Sequence, residues 1–240
     1  MADTLKKHQN IWKNKLLLRE LYFDWYRMIA KDMVKGKTVE LGSGTGNFKK
    51  FMPEAIASDI DPQPWLDKVF DAHKMPFKNR SVSNLVMVDV FHHLADPVKF
   101  LHEAHRVLRK GGRLLMIEPY PSPFSLLVYK LFHPEPFIFD FDYFNLKDSK
   151  VKKPWDSNQA IPYLIFFKHP NLFSSIFQKE FGILKKERFS FFTYPLSGGF
   201  ENIQLIPISM KIIFDTLERV LSPLSKYLAF RCYVVLEILK

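Results

Sequence analysis

The chain has 240 residues, of which 35 are Lys or Arg and 25 are Asp or Glu, so its formal net charge is +10. Hydrophobic residues make up 47% and aromatic residues 15%, with 24 Phe. This composition excludes a largely disordered chain and suits one domain, or one domain with a sizeable insertion. A single Cys excludes an internal disulfide framework. The positive charge leaves nucleic acid, an anionic membrane or an acidic ligand open as partners.

The N-terminus and the hydropathy pattern predict a cytoplasmic protein, soluble or peripheral. The first residues lack the apolar segment and the small-residue cleavage site of a secretory signal. No window holds about 18 uninterrupted apolar residues, as a membrane-spanning helix requires. The aromatic stretch from Tyr120 to Phe144 is interrupted by prolines, so it cannot be one spanning helix.

The first half of the chain alternates between helical and strand-like patterns. Its predicted elements, in chain order, are a helix over 10–33, a strand over 37–41, a helix over 48–52, a strand over 55–58, a helix beginning at Asp61 and Pro62, a strand over 85–88, a helix over 97–108 and a strand over 114–117. We expect Gly111 to cap the helix over 97–108. The run Leu85–Val88 is continuously apolar, as in a strand buried on both faces. This alternation predicts a parallel α/β sheet.

The second half has a weaker pattern. Residues 119–168 are rich in Pro, Phe and Tyr without a clean period, and we interpret them as an insertion over one end of the sheet. Further along, the spacing predicts a helix over 171–181, a strand over 185–194 and a final strand over 230–238. An amphipathic helix is predicted between these strands, with its apolar stripe at Met210, Ile213, Leu217, Leu221 and Leu224.

A glycine loop between the first strand and the next helix carries the densest chemical signal. It reads Glu40-Leu41-Gly42-Ser43-Gly44-Thr45-Gly46. The Gly-x-Gly-x-Gly spacing differs from the dinucleotide fingerprint and from the phosphate-binding P-loop. Asp59 follows the second strand, where a carboxylate can accept hydrogen bonds from both hydroxyls of a ribose. Asp71 follows further on, where it can accept from an adenine amine. Together these features predict a nucleoside ligand at the carboxyl ends of the strands.

This run resembles the first motif of the class I S-adenosylmethionine-dependent methyltransferases. The run Asp89–Pro97 is similar to the fourth-strand segment of that family. The run Arg106–Leu114 is similar to its "RVLKPGG-L" signature, which precedes the fifth strand. Glu118-Pro119 resembles the end of that strand in the ubiquinone/menaquinone group. The resemblance implies a Rossmann-like, seven-stranded, mostly parallel sheet with helices on both faces and the aromatic-rich insertion after the fifth strand. We therefore divide the chain into a helical segment at 1–36 and a methyltransferase domain at 37–240, in which the aromatic residues 119–168 are interpreted as an acceptor lid.

The resemblance also implies S-adenosyl-L-methionine as cofactor and a set of residues that bind it. Glu40, Gly42 and Gly44 would surround its methionine part, Asp59 would hold the ribose, and Asp89 would lie beside the methionine end. The full implied set is Glu40, Gly42, Ser43, Gly44, Gly46, Asp59, Ile60, Asp71, Ala72 and Asp89. Of these, Ile60 would pack on the adenine face, and Ala72 with Asp71 would bind its edge.

Transfer to an oxygen or carbon acid usually needs a base as well as alignment of the donor. His92 and His93 follow the fourth strand at the correct end, and we predict His92, with Glu118 at the end of the fifth strand, as the catalytic candidates. His133, Tyr120 and Tyr143 could line the acceptor pocket, although a packing role is the better explanation for each of them.

We predict no metal site. His102 and His105 are three residues apart on a helix, but exposed histidines explain them and a second ligand cluster is missing from the sequence pattern. A Gly-x-Ser-x-Gly hydrolase elbow is also missing.

The expected reaction is therefore methyl transfer to oxygen or carbon of a small, apolar or aromatic acceptor. The acceptor class rests on the Phe residues of the insertion. The alternatives are a non-catalytic protein that binds S-adenosylmethionine, a nucleic-acid methyltransferase and a nicotinamide-dependent oxidoreductase. The glycine spacing argues against the oxidoreductase.

The basic residues are dispersed, so we expect no nucleic-acid partner. Examples are Lys49-Lys50, Arg109-Lys110, Lys150–Lys153 and Lys185-Lys186. A lipid-like acceptor would allow peripheral contact with an anionic membrane. The oligomeric state is open.

Overall fold

The computed structural model describes residues 2–132, 135–145 and 157–240. Its strands are β1 (Thr38–Leu41), β2 (Ile56–Asp59), β3 (Lys68–Val69), β4 (Val82–Val88), β5 (Leu108–Pro119), β6 (Phe181–Phe189) and β7 (Arg231–Ile238). They form one seven-stranded sheet in the order β3-β2-β1-β4-β5-β7-β6. The pairs from β3 to β5 are parallel, and β7 runs antiparallel to both β5 and β6. The predicted α/β sheet is confirmed, as a mixed sheet in which β7 is reversed.

Helices flank this sheet. They are α1 (Ala2–Asn14), α2 (Leu16–Asp32), α3 (Asn47–Phe51), α4 (Pro97–Val107), α5 (Pro123–Phe132), α6 (Ile161–Tyr163), α7 (Pro170–Phe177), α8 (Thr193–Ser197), α9 (Lys211–Val220) and α10 (Ser225–Leu228). A π-helical turn, Leu164–Lys168, continues α6, and 3₁₀ turns occupy Phe91–His93, Ile208–Met210 and Ser222–Leu224. Among the described residues, none of the helices has the length and apolar character needed to cross a membrane.

Two apolar layers cover the two faces of the sheet. Successive side chains of a strand point to opposite faces. Leu114 and Met116 therefore join the layer made with α4, α6 and α7, whereas Leu115 and Ile117 join the layer made with α2 and α3. This burial on both faces explains the continuous apolar runs of β4 and β5.

The predicted helix over 10–33 is two helices. α1 ends at Asn14 and α2 begins at Leu16, because Lys15 has a non-helical backbone (φ −94°, ψ 89°). The Lys15 ammonium donates hydrogen bonds to the carbonyl groups of Gly199 (2.8 Å) and Asn202. The break therefore ties the N-terminal helices to the segment after α8.

Two local predictions were wrong. No helix begins at Asp61 and Pro62: the described residues 60–66 form bends and turns before β3, and Pro62 and Pro64 remove two N–H donors from any helix there. Gly111 does not cap α4, which ends at the extended residue Leu108 as β5 begins. Gly111 (φ +67°) lies instead where the register of β5 against β4 shifts.

The other predicted elements are present with different ends. The helix predicted at 171–181 is the shorter α7, and the strand predicted at 185–194 begins and ends earlier, as β6. The amphipathic pattern from Met210 to Leu224 covers α9 and the 3₁₀ turns on either side of it, because Ser222 and Pro223 end the regular helix.

Candidate active site

A cavity of about 1380 Å³ opens at the carboxyl ends of the parallel strands. One part of the cavity lining is formed by the glycine loop after β1 and by residues that follow β2, β3 and β4. The other part is formed by α5, by α8 and by the segment 198–205. The position agrees with the general rule that parallel α/β sheets bind ligands beyond the carboxyl ends of their strands.

The glycine loop is built for close approach of a ligand. Its backbone is left-handed at Gly42 (φ +68°) and Gly44 (φ +46°), a conformation that a Cβ atom disfavours. A Cβ on Gly42 would lie 2.5 Å from Cγ2 of Val90, whereas a Cβ on Gly44 would meet no atom within 4 Å. Ser43 fixes the loop to β2, since its N–H donates to the Ser58 carbonyl and its Oγ accepts from the Ser58 N–H, both at 2.9 Å. Gly42 is thus needed for packing, and Gly44 leaves open space on the cavity side.

Glu40 brings an uncompensated carboxylate to the cavity. The residue is 5% exposed, and its Oε2 atom has no hydrogen-bond partner among the described residues. Burial raises the pKa of Glu40 to about 7, although a hydrogen bond with Ser43 opposes the shift. A buried polar atom without a partner is costly. Glu40 lines the cavity with a carboxyl group whose Oε2 atom is buried and unpaired among the described residues.

Asp59 and Asp71 line the same side of the cavity. Oδ2 of Asp59 accepts a hydrogen bond from the Gly44 N–H at 2.9 Å, so this carboxylate also holds the glycine loop. Burial raises the pKa of Asp59 against the effect of that bond. Oδ1 of Asp71 accepts from the backbone and ring nitrogens of His73, at 2.8 and 2.6 Å. These bonds lower the pKa of Asp71 although burial opposes them.

The remaining members of the predicted cofactor set divide into two groups. Ile60, which is 44% exposed, and Ala72 line the cavity. Gly46 does not: it is the left-handed N-cap of α3, and a Cβ there would lie 2.9 Å from the ring of Trp65. Trp65 donates from Nε1 to the Gly44 carbonyl at 2.9 Å, a support for the loop that sequence reasoning missed. The cofactor roles of the whole set stay predictions.

Asp89 is joined to a buried arginine that the sequence analysis did not single out. Asp89 directly follows β4 with a left-handed backbone (φ +58°). Its carboxylate accepts hydrogen bonds from Nη1 of Arg231 and, at 3.2 Å, from the hydroxyl of Tyr22. The Arg231 guanidinium is 3% exposed and lies over the rings of Tyr194 (4.2 Å) and Trp25 (5.5 Å). Asp89 thus brings α2, β4 and β7 together at the cavity.

The two predicted catalytic residues are directly bonded. The carboxylate of Glu118, on β5, accepts hydrogen bonds from the backbone N–H groups of Val90 (2.9 Å) and Phe91 (2.7 Å) and from Nδ1 of His92 (2.6 Å). Glu118 is 1% exposed and lies behind His92, which lines the cavity. Glu118 therefore orients His92 and does not itself face the cavity.

A second carboxylate lies on the other side of the His92 ring. Nε2 of His92 is 3.3 Å from Oε2 of Glu135, which also accepts a hydrogen bond from Ser157 at 2.9 Å. Burial alone would lower the pKa of His92, but Glu118 and Glu135 raise it to about 9. The His92 imidazolium in turn lowers the pKa of Glu135 against the effect of burial. Glu118, His92 and Glu135 thus form a row in which the imidazole lies between the two acidic side chains.

His93 lies beside this row. The ring centroids of His92 and His93 are 4.2 Å apart, and one ligand atom from each of His92, His93 and Glu135 falls within 4.8 Å of the others. The sequence analysis predicted no metal ligands and missed this grouping, because the pattern of the insertion gave no position for Glu135. The ion pair of His92 with Glu135 accounts for the proximity of those two side chains without a metal ion.

The aromatic residues predicted for the acceptor lid have several different positions. Phe124 and Phe132 line the cavity, together with Tyr129, Phe192 and Phe200. Phe137, Phe139 and Phe144 instead pack against the apolar core, and Phe141 is exposed beside Tyr143. Neither Tyr120 nor Tyr143 is among the lining residues: Tyr120 packs on Phe167, and Tyr143 accepts a hydrogen bond from the Asn158 amide. His133 and Lys150–Lys153 lie outside the described residues.

The N-terminal helices also belong to the site. Leu5 and His8 of α1, and Tyr22 and Tyr26 of α2, line the cavity. Sequence reasoning separated residues 1–36 from the site and missed these contacts. The aromatic stripe of α2 was visible in the sequence, but its spacing indicates only a buried helix face, not which face of the sheet it covers.

Comparison with known proteins agrees with this architecture. Residues 39–116, about a third of the chain, match the model of a family described as a methyltransferase domain. A demethylmenaquinone methyltransferase of Thermotoga maritima is 27% identical over 101 residues, which are 35% of this chain and 44% of that protein. An uncharacterised protein of Methanocaldococcus jannaschii is 26% identical over 106 residues, 40% and 51% of the two chains. The chain spans 14% to 51% of the length of the curated relatives it matches.

Solved structures extend the similarity of fold to nearly the whole chain. A SAM-dependent methyltransferase of Thermotoga maritima has a TM-score of 0.55 at 19% identity, over 95% of this chain and 93% of the other. A SAM-dependent methyltransferase of Archaeoglobus fulgidus has a TM-score of 0.54 at 14% identity, over 91% and 94%. At these identities the likeness shows the fold alone. The methyltransferase-domain match over residues 39–116 and the likeness of fold agree with the predicted resemblance to the class I S-adenosylmethionine-dependent methyltransferases.

Proposed function

We propose that this protein transfers a methyl group from S-adenosylmethionine to an apolar acceptor bound in the same cavity. The observation that carries the proposal is the continuity of the cavity. One side is the glycine loop of the family match, with Glu40 and Asp59, and the other side is aromatic, with Phe124, Tyr129 and Phe192. A cavity of about 1380 Å³ also leaves space for a second ligand beside a nucleoside.

The residues on the glycine-loop side suit the cofactor. The carboxyl group of Glu40, which lines the cavity, would bind the ammonium group of the methionine part, and the open space at Gly44 would admit its backbone. Asp59 would accept from the ribose hydroxyls, and Ile60 with Asp71 would contact the adenine. When bound, S-adenosylmethionine supplies a methyl group on a sulfonium, which is already activated for displacement, so the protein contributes mainly alignment and exclusion of water.

The row of Glu118, His92 and Glu135 would handle the proton of the acceptor. With the pKa of His92 at about 9, Nε2 carries a proton at neutral pH and pairs with Glu135, so an acceptor oxygen would have to replace the Glu135 carboxylate to receive that hydrogen bond. His92 takes up a proton only in the minor neutral form, so a base role for it predicts faster transfer as the pH rises toward 9. Glu118 would hold Nδ1 and so leave Nε2 on the side of the ring that faces Glu135.

The acceptor is proposed to be apolar or aromatic, with oxygen or carbon as its methylated atom. The aromatic side chains around the far half of the cavity support this class. The demethylmenaquinone methyltransferase of Thermotoga maritima, which matches part of the chain, is a relative whose name indicates an apolar ring acceptor.

The test is a transfer assay with S-adenosylmethionine that carries a tritium-labelled methyl group. The protein is incubated with the lipid, polar small-molecule, nucleic-acid and protein fractions of a cell extract. We expect label in products of the lipid fraction, and its loss with Asp59→Ala but not with Glu54→Gln, an exposed carboxylate just before β2. Label in nucleic acid or protein would contradict the apolar acceptor. Cofactor binding without transfer to any fraction would favour the non-catalytic alternative.

A further inference from the structure

Helix α9 is attached to the protein mainly by charged side chains, together with Phe214, whose ring contacts Phe192. A surface helix normally buries its apolar stripe and exposes its polar residues. In α9 the apolar residues Ile212, Ile213 and Val220 are 72%, 60% and 69% exposed, and Leu217 is 40% exposed. None of the residues of this helix is fully buried. The helix therefore presents an apolar face to its surroundings.

The side of α9 that faces the protein makes specific hydrogen bonds and ion pairs. Oε1 of Glu218 accepts hydrogen bonds from the backbone N–H groups of Phe192 (2.8 Å) and Thr193 (2.7 Å), at the start of α8. Asp215 accepts from the Thr193 hydroxyl and pairs with Lys211, which also reaches Asp24 of α2. These bonds set the rotation of α9 about its axis and so keep its apolar face outward.

The neighbouring elements continue the apolar face. On α5, which packs against α10, Leu127, Leu131 and Phe132 are 58%, 65% and 61% exposed. The segment after α8 contributes Ile203 and Leu205, and the Asn202 amide of that segment donates to the Phe132 carbonyl. We call the exposed apolar side chains of α5, of residues 203–208, of α9 and of residues 224–227 the apolar rim. An exposed apolar surface of this extent usually marks an interaction site.

The exposed charges of the three helices are positive: Lys130 on α5, Arg219 on α9 and Lys226 on α10. The exposed carboxylate of the segment after α8, Glu201, is paired with Lys7 and His8 of α1. The carboxylates in these elements, Asp215 and Glu218, are bonded to the inner contacts already described. Apolar side chains flanked by Lys and Arg characterise surfaces that insert shallowly into a bilayer and attract anionic lipid headgroups.

The rim also borders the cavity. Phe132, Ile203 and Leu205 belong to the rim and line the cavity as well. We propose that the apolar rim docks on the surface of an anionic lipid bilayer, with the mouth of the cavity facing the lipid. The charge pattern favours this occupant over a second copy of the chain, because two such rims would bring like charges together. The inference goes beyond the proposed function, since docking does not depend on the identity of the reaction.

The test is sedimentation of the full chain with phosphatidylcholine vesicles, with and without phosphatidylglycerol. We expect binding to the anionic vesicles that weakens with added salt. Because each basic side chain near a bilayer contributes about fivefold to partitioning, Lys130→Glu/Lys226→Glu should lower the partition coefficient at least about 25-fold. Ile212→Ser/Val220→Ser should lower it at least about tenfold. These sites are exposed, so both variants should keep their fold.

Two matched controls separate docking from general effects. Lys78→Glu/Lys110→Glu makes the same charge change at exposed positions toward the opposite end of the sheet, and Leu172→Ser/Leu184→Ser removes exposed apolar side chains on α7 and β6. Both should bind vesicles like the parent chain. Binding of S-adenosylhomocysteine, measured for every variant, should stay unchanged, so loss of docking is distinguishable from failure of the proposed function.

Three results would overturn the proposal. The first is absence of binding to anionic vesicles at low salt. The second is equal loss of binding in the rim variants and their controls. The third is a stable dimer in sedimentation velocity that Ile212→Ser/Val220→Ser dissociates, which would assign the rim to a second copy of the chain.

Discussion

Nδ1 of His92 lies 2.6 Å from Oε2 of Glu118, and the same carboxylate also accepts the backbone N–H groups of Val90 and Phe91. A buried acid on β5 therefore sets both the course of the chain after β4 and the orientation of the imidazole at the cavity. Such a bond decides which ring nitrogen is left to act. On the far side of the ring, Glu135 completes the row.

The row predicts a pH dependence of stability. The pKa of His92 is raised from 6.5 to about 9 in the folded chain. The stabilisation from this shift is complete below the unfolded pKa, declines as the pH rises from about 6.5 through 9, and is absent above that. Replacing His92 by Asn removes the titrating group. The difference in free energy of unfolding between the parent chain and His92→Asn, measured by urea denaturation, should therefore shrink across this window. A difference that is constant from pH 6 to about 10 would contradict the raised pKa.

Glu135 should be one cause of that raised pKa. Glu135→Gln removes a carboxylate 3.3 Å from Nε2 and keeps the shape of the side chain. We expect the His92 pKa, followed by NMR of the imidazole, to fall below that of the parent chain while His92 stays folded against Glu118. Glu54→Gln, at an exposed position, is the control and should leave it unchanged. An unchanged pKa in Glu135→Gln would show that the pair is not formed.

The two glycines of the loop should respond differently to alanine. In Gly42→Ala the new Cβ would lie 2.5 Å from Val90, and alanine disfavours the left-handed backbone at this position. We expect these two effects together to lower the free energy of unfolding by about 3 kcal/mol. In Gly44→Ala the Cβ would meet no protein atom, so the loss should be about 1 kcal/mol. Gly44→Ala should nevertheless weaken binding of S-adenosylhomocysteine, because its Cβ would enter the cavity. Thermal denaturation and calorimetry measure the two effects. Full affinity in Gly44→Ala would argue against a ligand at this position.

The ion pair of Asp89 with Arg231 should contribute more to stability than the surface pairs do. Asn tolerates the left-handed backbone of position 89, so Asp89→Asn should not strain the chain there. The substitution leaves the buried guanidinium of Arg231 without its counter-charge. We expect a loss of about 3 kcal/mol in the free energy of unfolding. In the double variant Asp89→Asn/Arg231→Met, the loss should be smaller than the sum of the two single losses. Additive losses would indicate that the pair is not coupled.

Sequence reasoning predicted the sheet well because its strands obey one simple constraint. The strands β4 and β5 are buried on both faces, so each contains a continuous apolar run. The helix boundaries were harder, because tertiary contacts decide them. Lys15 breaks a continuous helical pattern by binding carbonyl groups nearly two hundred residues away. Gly111 has the composition of a helix cap but belongs to an irregularity in β5.

The candidate site was predictable only where it lies on local motifs. The glycine loop and Asp59 lie next to one another at strand ends, as their spacing indicated. Glu135 and Arg231 could not be assigned, because each reaches the site from a segment whose position depends on the whole fold. The outward face of α9 was also invisible to the pattern: hydrophobic periodicity shows that a helix is amphipathic, not which side it turns to the protein.

The central claim is that the cavity beside Glu40, Gly44 and Asp59 binds S-adenosylmethionine, and isothermal titration calorimetry tests it most directly. We predict saturable binding of S-adenosylmethionine and S-adenosylhomocysteine by the parent chain and by Glu54→Gln. Asp59→Ala should bind at least about tenfold more weakly, because the ribose hydroxyls lose their acceptor and the glycine loop loses its bond to Oδ2. No binding by the parent chain, or equal affinity in Asp59→Ala, would contradict the account.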